Sequence, residues 1–150
     1  MAVTIEVATE VTPELLEAVR WLLRQLDFHV PVDEQAVLSE EHLARVVNAP
    51  QTTLLIARAE DGRVVGMTSL AYFDVPTGRH AWIEDVVVDG SARGQGVGEA
   101  LTREAVRRAG ELGAAQVDLT SASYREAANR LYPRVGFKLR NTNVYRYTLR

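Results

Sequence analysis

Arg93-Gly94-Gln95-Gly96-Val97-Gly98 is the stretch on which the reading of this chain turns. It follows the apolar, β-branched run from Trp82 to Val88. It opens a pattern in which Val97, Leu101, Ala105, Ala109 and Leu112 recur every three or four residues. The run reads as a strand and the recurrence as a helix, so the glycines form a turn from a strand into a helix N-terminus. Such a turn suits a phosphate-bearing ligand. Glycine lets backbone come close to a ligand, and the first N–H groups of a helix have no partner within it. The helix dipole adds partial positive charge there, and Arg93 adds a full one.

Spacing excludes two other phosphate loops. A P-loop needs Gly, four residues, then Gly-Lys-Ser/Thr, and the one lysine here, Lys138, is far from these glycines. A dinucleotide fingerprint needs Gly-x-Gly-x-x-Gly. Counted from Gly94 its third position falls on Glu99, and counted from Gly96 on Leu101. What remains is Arg-x-x-Gly-x-Gly, which resembles the acetyl-coenzyme A signature of the GNAT family of N-acetyltransferases. The later stretch Ala127-Ala128-Asn129-Arg130-Leu131-Tyr132-Pro133-Arg134-Val135-Gly136-Phe137 is similar to that family's Ala-x-x-Phe/Leu-Tyr-x-x-x-Gly-Phe motif. Trp82-Ile83-Glu84-Asp85-Val86-Val87-Val88 looks like its central strand. The three motifs stand in the family's order over residues 80–137. One position departs from it: many members carry Asn seven residues before the tyrosine, and this chain has Arg125.

Composition is compatible with that resemblance. A chain of 150 residues is long enough for one domain with a substantial core, expected over 1–150. Hydrophobic residues make up 47% and charged residues 25%, ordinary for a globular protein. The absence of cysteine excludes disulfides, thiolate metal sites and a cysteine nucleophile. His29, His42 and His80 are dispersed, so no metal site is expected. No apolar run reaches the roughly 20 residues of a membrane span, and Glu6 stands where a secretory leader would be basic. A cytoplasmic location is the expectation. The net charge of −3 hides an asymmetry: residues 1–92 carry 15 Asp/Glu against 6 Arg, and residues 93–150 carry 11 Lys/Arg against 5 Asp/Glu. A basic second half suits an anionic cofactor, and an acidic first half a cationic acceptor. No basic run interleaves with aromatics, so nucleic acid is not expected as a partner.

The expected elements follow from local pattern. Thr4 to Ala8 alternates as a strand. Thr12-Pro13-Glu14 starts a helix whose Leu15, Leu16, Val19, Leu22, Leu23 and Leu26 share a face, with Trp21 at its margin. The chain breaks over Asp27 to Val32, and a second helix is expected from about Asp33 to Asn48. Strands follow at Thr52 to Ala59 and Val64 to Phe73, joined at Asp61-Gly62, and then from about His80 to Val88. The long helix to about Leu112 leads to a strand at Gln116 to Thr120, parallel to the strand before the glycines. A helix from Arg125 to Val135 and two strands, Phe137 to Arg140 and Val144 to Leu149, complete the chain. The order β-α-α-β-β-β-α-β-α-β-β matches the α/β fold of the family, a mixed, mostly antiparallel central sheet flanked by helices.

The resemblance implies an acetyl-CoA-dependent N-acetyltransferase in which the acceptor amine attacks the thioester directly in a ternary complex. Gly94, Gln95, Gly96, Val97 and Gly98 would bind pyrophosphate through N–H groups, with Arg93 as charge partner. Val86 and Val88 would pair their backbones with pantetheine, and Asn129 would reach its amides. Lysine-like amines have pKa ~10, so a base is useful near neutrality. The family's base often lies on the central strand, which makes Glu84 the candidate and Asp85 its rival. On a regular strand the two point to opposite faces unless a bulge intervenes. Either could instead be a carboxylate paired with an arginine. Tyr132 is the candidate acid for the departing thiolate. The acceptor is expected to be an amine of a small molecule or a peptide, selected by Asp27 to Val32, Asp74 to Arg79 and Asn141 to Asn143. Ile83-Glu84-Asp85-Val86 also looks like glucosamine-6-phosphate acetyltransferases, but the acidic acceptor half argues against a phosphorylated sugar. A non-catalytic acyl-CoA-binding domain is the alternative, and a homodimer is left open.

Overall fold

A computed structural model describes residues 2–26, 30–31 and 36–149. The chain forms two compact units, residues 1–120 and 121–150. The first unit holds β1 (Val3–Val7), α1 (Pro13–Leu26), α2 (Glu40–Asn48), β2 (Thr52–Ala59), β3 (Val64–Val75) and β4 (Gly78–Val88). It continues with α3 (Val97–Glu111) and β5 (Gln116–Asp118). The sheet order is β1-β2-β3-β4-β5. β1 to β4 pair antiparallel, and β5 joins parallel to β4 through the α3 crossover. This is the expected mixed, mostly antiparallel α/β sheet.

Alternation along β2 builds both layers. Leu54 and Ile56 join Leu15, Val19, Leu22 and Leu43 of α1 and α2, with Met67 and Val87, in one buried cluster. Leu55 and Ala57, each without exposure, point the other way. α3 packs on that second face through Val97, Leu101, Ala105 and Ala109. Gly66 of β3 permits this approach, because a Cβ there would meet Leu101 Cδ1 at 3.1 Å and Val97 Cγ1 at 3.2 Å.

Several expected boundaries shift. α2 starts at Glu40, because Ser39 caps it by accepting from the His42 N–H at 3.0 Å. The expected start at Asp33 lies outside the described residues, but 36–39 are not helical. Asp27 to His29 and Val32 also lie outside them. Much of the expected Asp74 to Arg79 loop is strand. Asp74 pairs with Arg79 and Val75 with Gly78 across a tight turn at Pro76-Thr77. Arg79 also grips Asp74 through two nitrogens at 2.7 and 3.0 Å. β5 ends at Asp118 and pairs only with His80 to Trp82.

The second unit contains α4 (Glu126–Val135), which starts one residue later than expected because Arg125 is its N-cap. Gly136, at φ 117, ends it in the left-handed region. The two strands expected at Phe137 to Arg140 and Val144 to Leu149 do not form among the described residues. Local alternation there supplies a side-chain pattern, but a strand also needs a backbone ladder. Tyr145, Tyr147 and Leu149 are exposed.

Candidate active site

β4 is where the first unit departs from regularity. Met67 pairs with Val87, but Ser69 pairs with Glu84, so three steps along β4 match two along β3. The extra residue is a β-bulge, and Asp85 carries it at φ 56. Aspartate is among the residues that tolerate the left-handed region best. The bulge breaks the period of two: Glu84 and Asp85 are both exposed, and Val86 and Val87 are both buried. Both carboxylates are therefore open to solvent, where regular alternation would bury one of two neighbours.

Two contacts stabilise this irregularity. The Thr68 hydroxyl donates to the Glu84 carbonyl at 3.0 Å, and Thr68 has no exposure. The Trp82 indole N–H donates to Glu84 Oε1 at 2.7 Å. Trp82 and Glu84 share a face before the bulge, so an alternation argument could have paired them. Thr68 left no comparable local signal.

After β4 a 3₁₀ turn over Gly90–Ala92 leads to the glycines. Ala92 and Val97 are buried and anchor the two ends, while Arg93 to Gly96 is exposed. Gly94 and Gly96 have φ 75 and 82, conformations that favour glycine. A Cβ at either would meet nothing within 4 Å, so the space over the turn is open. Gly96 is the N-cap of α3 and supplies no side-chain bond to the helix. Open space over an N-terminus without a side-chain cap fits a pyrophosphate. Val97 contributes only its backbone, since its side chain is core. The Arg93 Nε donates to the Val88 carbonyl at 3.2 Å, so one lone pair of that carbonyl is engaged within the turn.

Asp89 opens the 3₁₀ turn and was not singled out by sequence. Its Oδ1 accepts from Trp21 Nε1 and Gln25 Nε2, each at 2.7 Å. Its Oδ2 accepts from the Ser91 N–H at 3.0 Å and from the Ser91 hydroxyl. Partial burial opposes the charged form. The donors from Ser91, Gln25 and Trp21 outweigh it and hold the carboxyl well below the usual carboxylate range.

In the second unit, Asn129 donates its side-chain N–H groups to the carbonyls of Ala122, at 2.9 Å, and Arg125, at 3.0 Å. Its donors tie residues 122–125 to α4 and are not held out for a ligand. Tyr132 is buried and meets the Phe137 ring edge-on at 5.9 Å. Phe137 and Gly136 donate their N–H groups to the Tyr132 carbonyl at 3.0 and 3.2 Å. The Tyr-x-x-x-Gly-Phe spacing is thus also a helix C-terminus closed by an apolar contact. Burial pushes the Tyr132 phenol above its ordinary value, with Arg125 opposing.

Among the described residues no group of three metal-ligating side chains occurs, and no helix is long and apolar enough to cross a membrane. The model of the acetyltransferase (GNAT) family matches residues 15–137. An uncharacterised N-acetyltransferase of Mycobacterium tuberculosis is 29% identical over 118 residues, which are 79% of this chain and 73% of the relative. Glucosamine 6-phosphate N-acetyltransferase 1 of rice is 33% identical over 91 residues, 59% of this chain and 55% of the relative. A putative acetyltransferase structure from Agrobacterium tumefaciens superposes with a TM-score of 0.82 at 23% identity. That match covers 97% of this chain and 99% of the other and is one of fold.

Proposed function

From the premise that this chain belongs to the GNAT acetyltransferase family, whose members are acetyl-CoA-dependent N-acyltransferases, we propose that it acetylates a primary amine of a small molecule or peptide by direct attack in a ternary complex. The observation that carries the reading is the bulge at Asp85. It leaves two carboxylates, Glu84 and Asp85, exposed on the strand that runs into the glycine turn.

Acetyl-CoA supplies a thioester whose acyl carbon is open to an amine. Gly94 to Gly98 offer backbone N–H groups and Arg93 a positive charge to its pyrophosphate. The backbones of Val86 and Val88 are proposed to align pantetheine along β4, as an added strand would. The side-chain carbonyl of Asn129 is the group left to meet a pantetheine amide. Glu84 takes the proton that the amine must lose, directly or through water. The Trp82 bond fixes one of its oxygens and leaves the other for the amine. Asp85 is the rival base one residue on. Tyr132 gives its proton to the departing thiolate, and its raised pKa keeps that proton in place at neutral pH. The C–N bond forms and the C–S bond breaks, CoA leaves as the thiol with the Tyr132 proton, and proton exchange with solvent returns Glu84 to the carboxylate and Tyr132 to the phenol.

The 15 acidic residues of the first 92 favour a cationic acceptor over a phosphorylated one. The chain is read as a single functional domain over 1–150 that acts in the cytoplasm. A thiol-release screen with acetyl-CoA over polyamines, amino sugars, glucosamine 6-phosphate and peptides tests the reading. Turnover with an unphosphorylated amine is expected. Turnover with glucosamine 6-phosphate alone would overturn the acceptor assignment.

A further inference from the structure

Trp21 is 55% exposed on α1, so burial does not account for a tryptophan there. Gln25 lies four residues later on the same helix face. Both direct their polar atoms at the turn ahead of the glycines. Gln25 uses both ends of its amide: Nε2 donates to Asp89 Oδ1, and Oε1 accepts from the Gly90 N–H, each at 2.7 Å. Trp21 adds its indole N–H to the same Oδ1. Asp89 then passes the constraint on through Ser91. All four donors to this carboxylate come from the protein. An acidic side chain four residues before Arg93 would repel an anion, so its presence calls for a geometric reason.

Besides the buried Ala92 and Val97 at its ends and the Arg93 bond to the Val88 carbonyl, few side-chain bonds hold the turn. Gln95 Nε2 reaches the Ser91 carbonyl at 3.5 Å, the edge of hydrogen-bond range. Gly94 and Gly96 contribute no side chain. A glycine-rich turn loses much conformational freedom on ordering, and that loss would fall on ligand binding unless the protein bears it beforehand.

We infer that Trp21, Gln25 and Asp89 are positioning residues for the cofactor turn, a clasp from α1 that pre-orders residues 90–96 for the pyrophosphate of acetyl-CoA. The inference rests on the cofactor reading above and adds residues to it. The clasp acts on donor binding and not on the chemical step. Its loss therefore raises Kd and KM for acetyl-CoA and leaves kcat at saturating donor unchanged.

The test uses the full chain with three variants, Trp21→Phe, Gln25→Met and Asp89→Ala, and the double variant of the last two. Each is measured by thermal melting, by calorimetric titration with acetyl-CoA, and by hydrogen exchange at the Gly90 and Ser91 amides. Each single change is expected to raise Kd by roughly tenfold. The double variant should be weaker than Asp89→Ala by less than the full effect of Gln25→Met, because the two residues share one bond while Gln25 keeps a second to the Gly90 N–H. Trp21→Phe and Gln25→Met are changes at the helix surface and carry the test if Asp89→Ala does not fold. Folded variants with wild-type Kd, or with a lowered melting point and unchanged Kd, would overturn the clasp. If the wild-type chain itself binds no acetyl-CoA, it is the cofactor reading that fails. Faster exchange at Gly90 and Ser91 in Gln25→Met would then still support the clasp, and unchanged exchange would sink it.

Discussion

The Thr68 hydroxyl donates to the Glu84 carbonyl across the bulge in β4, at 3.0 Å and from a side chain without solvent exposure. The extra residue in β4 interrupts the ladder, and this bond takes up a carbonyl at the interruption. Thr68→Val keeps the shape and removes the donor. A protein hydrogen bond contributes about 0.5–1.5 kcal/mol net, so urea unfolding should show a loss in that range. The turnover number should fall with it, because Glu84 loses its fixed backbone.

Two glycines should respond in opposite ways. Gly66→Ala drives a methyl into Leu101, Val97 and the Val87 carbonyl, and overpacking of this kind costs about 1–3 kcal/mol of stability. Gly96→Val meets open space but needs φ 82, which a β-branched residue resists. It should leave a folded protein without measurable acetyl-CoA affinity in calorimetry. Arg93→Ala should weaken that affinity by about 1.5–3 kcal/mol.

Replacing the carboxylates separates the two candidates for the base. Glu84→Gln should lower kcat by roughly 10²–10⁴-fold at pH 7, with partial recovery at high pH where more of the amine is already neutral. Asp85→Asn retains a residue type that tolerates φ 56, so the bulge should persist and the rate should change little. A larger loss in Asp85→Asn than in Glu84→Gln would transfer the role by one residue.

For Tyr132 the sign of the pH effect follows from its raised pKa. The folded protein favours the neutral phenol, and the unfolded chain ionises near the ordinary phenol value of about 10. The stabilisation is therefore complete below about pH 10 and is lost as pH rises through the folded value. Tyr132→Phe should abolish this alkaline decline in unfolding free energy, measured by urea titration from pH 8 to 11. It should also cut kcat by roughly 10²-fold while Kd for acetyl-CoA holds.

The order of elements through β5, the helix faces and the glycine turn are legible because each rests on a local signal. Those signals are alternation, a recurrence of three or four, and glycine at left-handed positions. The bulge was not legible, since Asp85 follows Glu84 with no break in β pattern and only pairing with β3 reveals the extra residue. Asp89 carries no local signal for a related reason. Its partners Trp21 and Gln25 are more than 60 positions away, and only the packed fold brings them together. The closing strands after Phe137 show the converse: the alternation of Tyr145, Tyr147 and Leu149 is plain in sequence, but no ladder accompanies it. Asn129 matches the motif of a ligand contact in sequence, while its donors serve the start of α4.

The three-residue ladder between β4 and β5 bears on the order of assembly. β2, β3 and β4 join through tight turns and close by local contacts, whereas β5 must return across the whole of α3 before it can pair. Non-local closure is slow and yields little until it is complete. The glycine turn belongs to that crossover, so the donor site depends on a non-local closure. A donor present at a hundred times its Kd would add about 2.7 kcal/mol to the finished state. Abundance of this protein in a cell would then follow the supply of its own acyl donor.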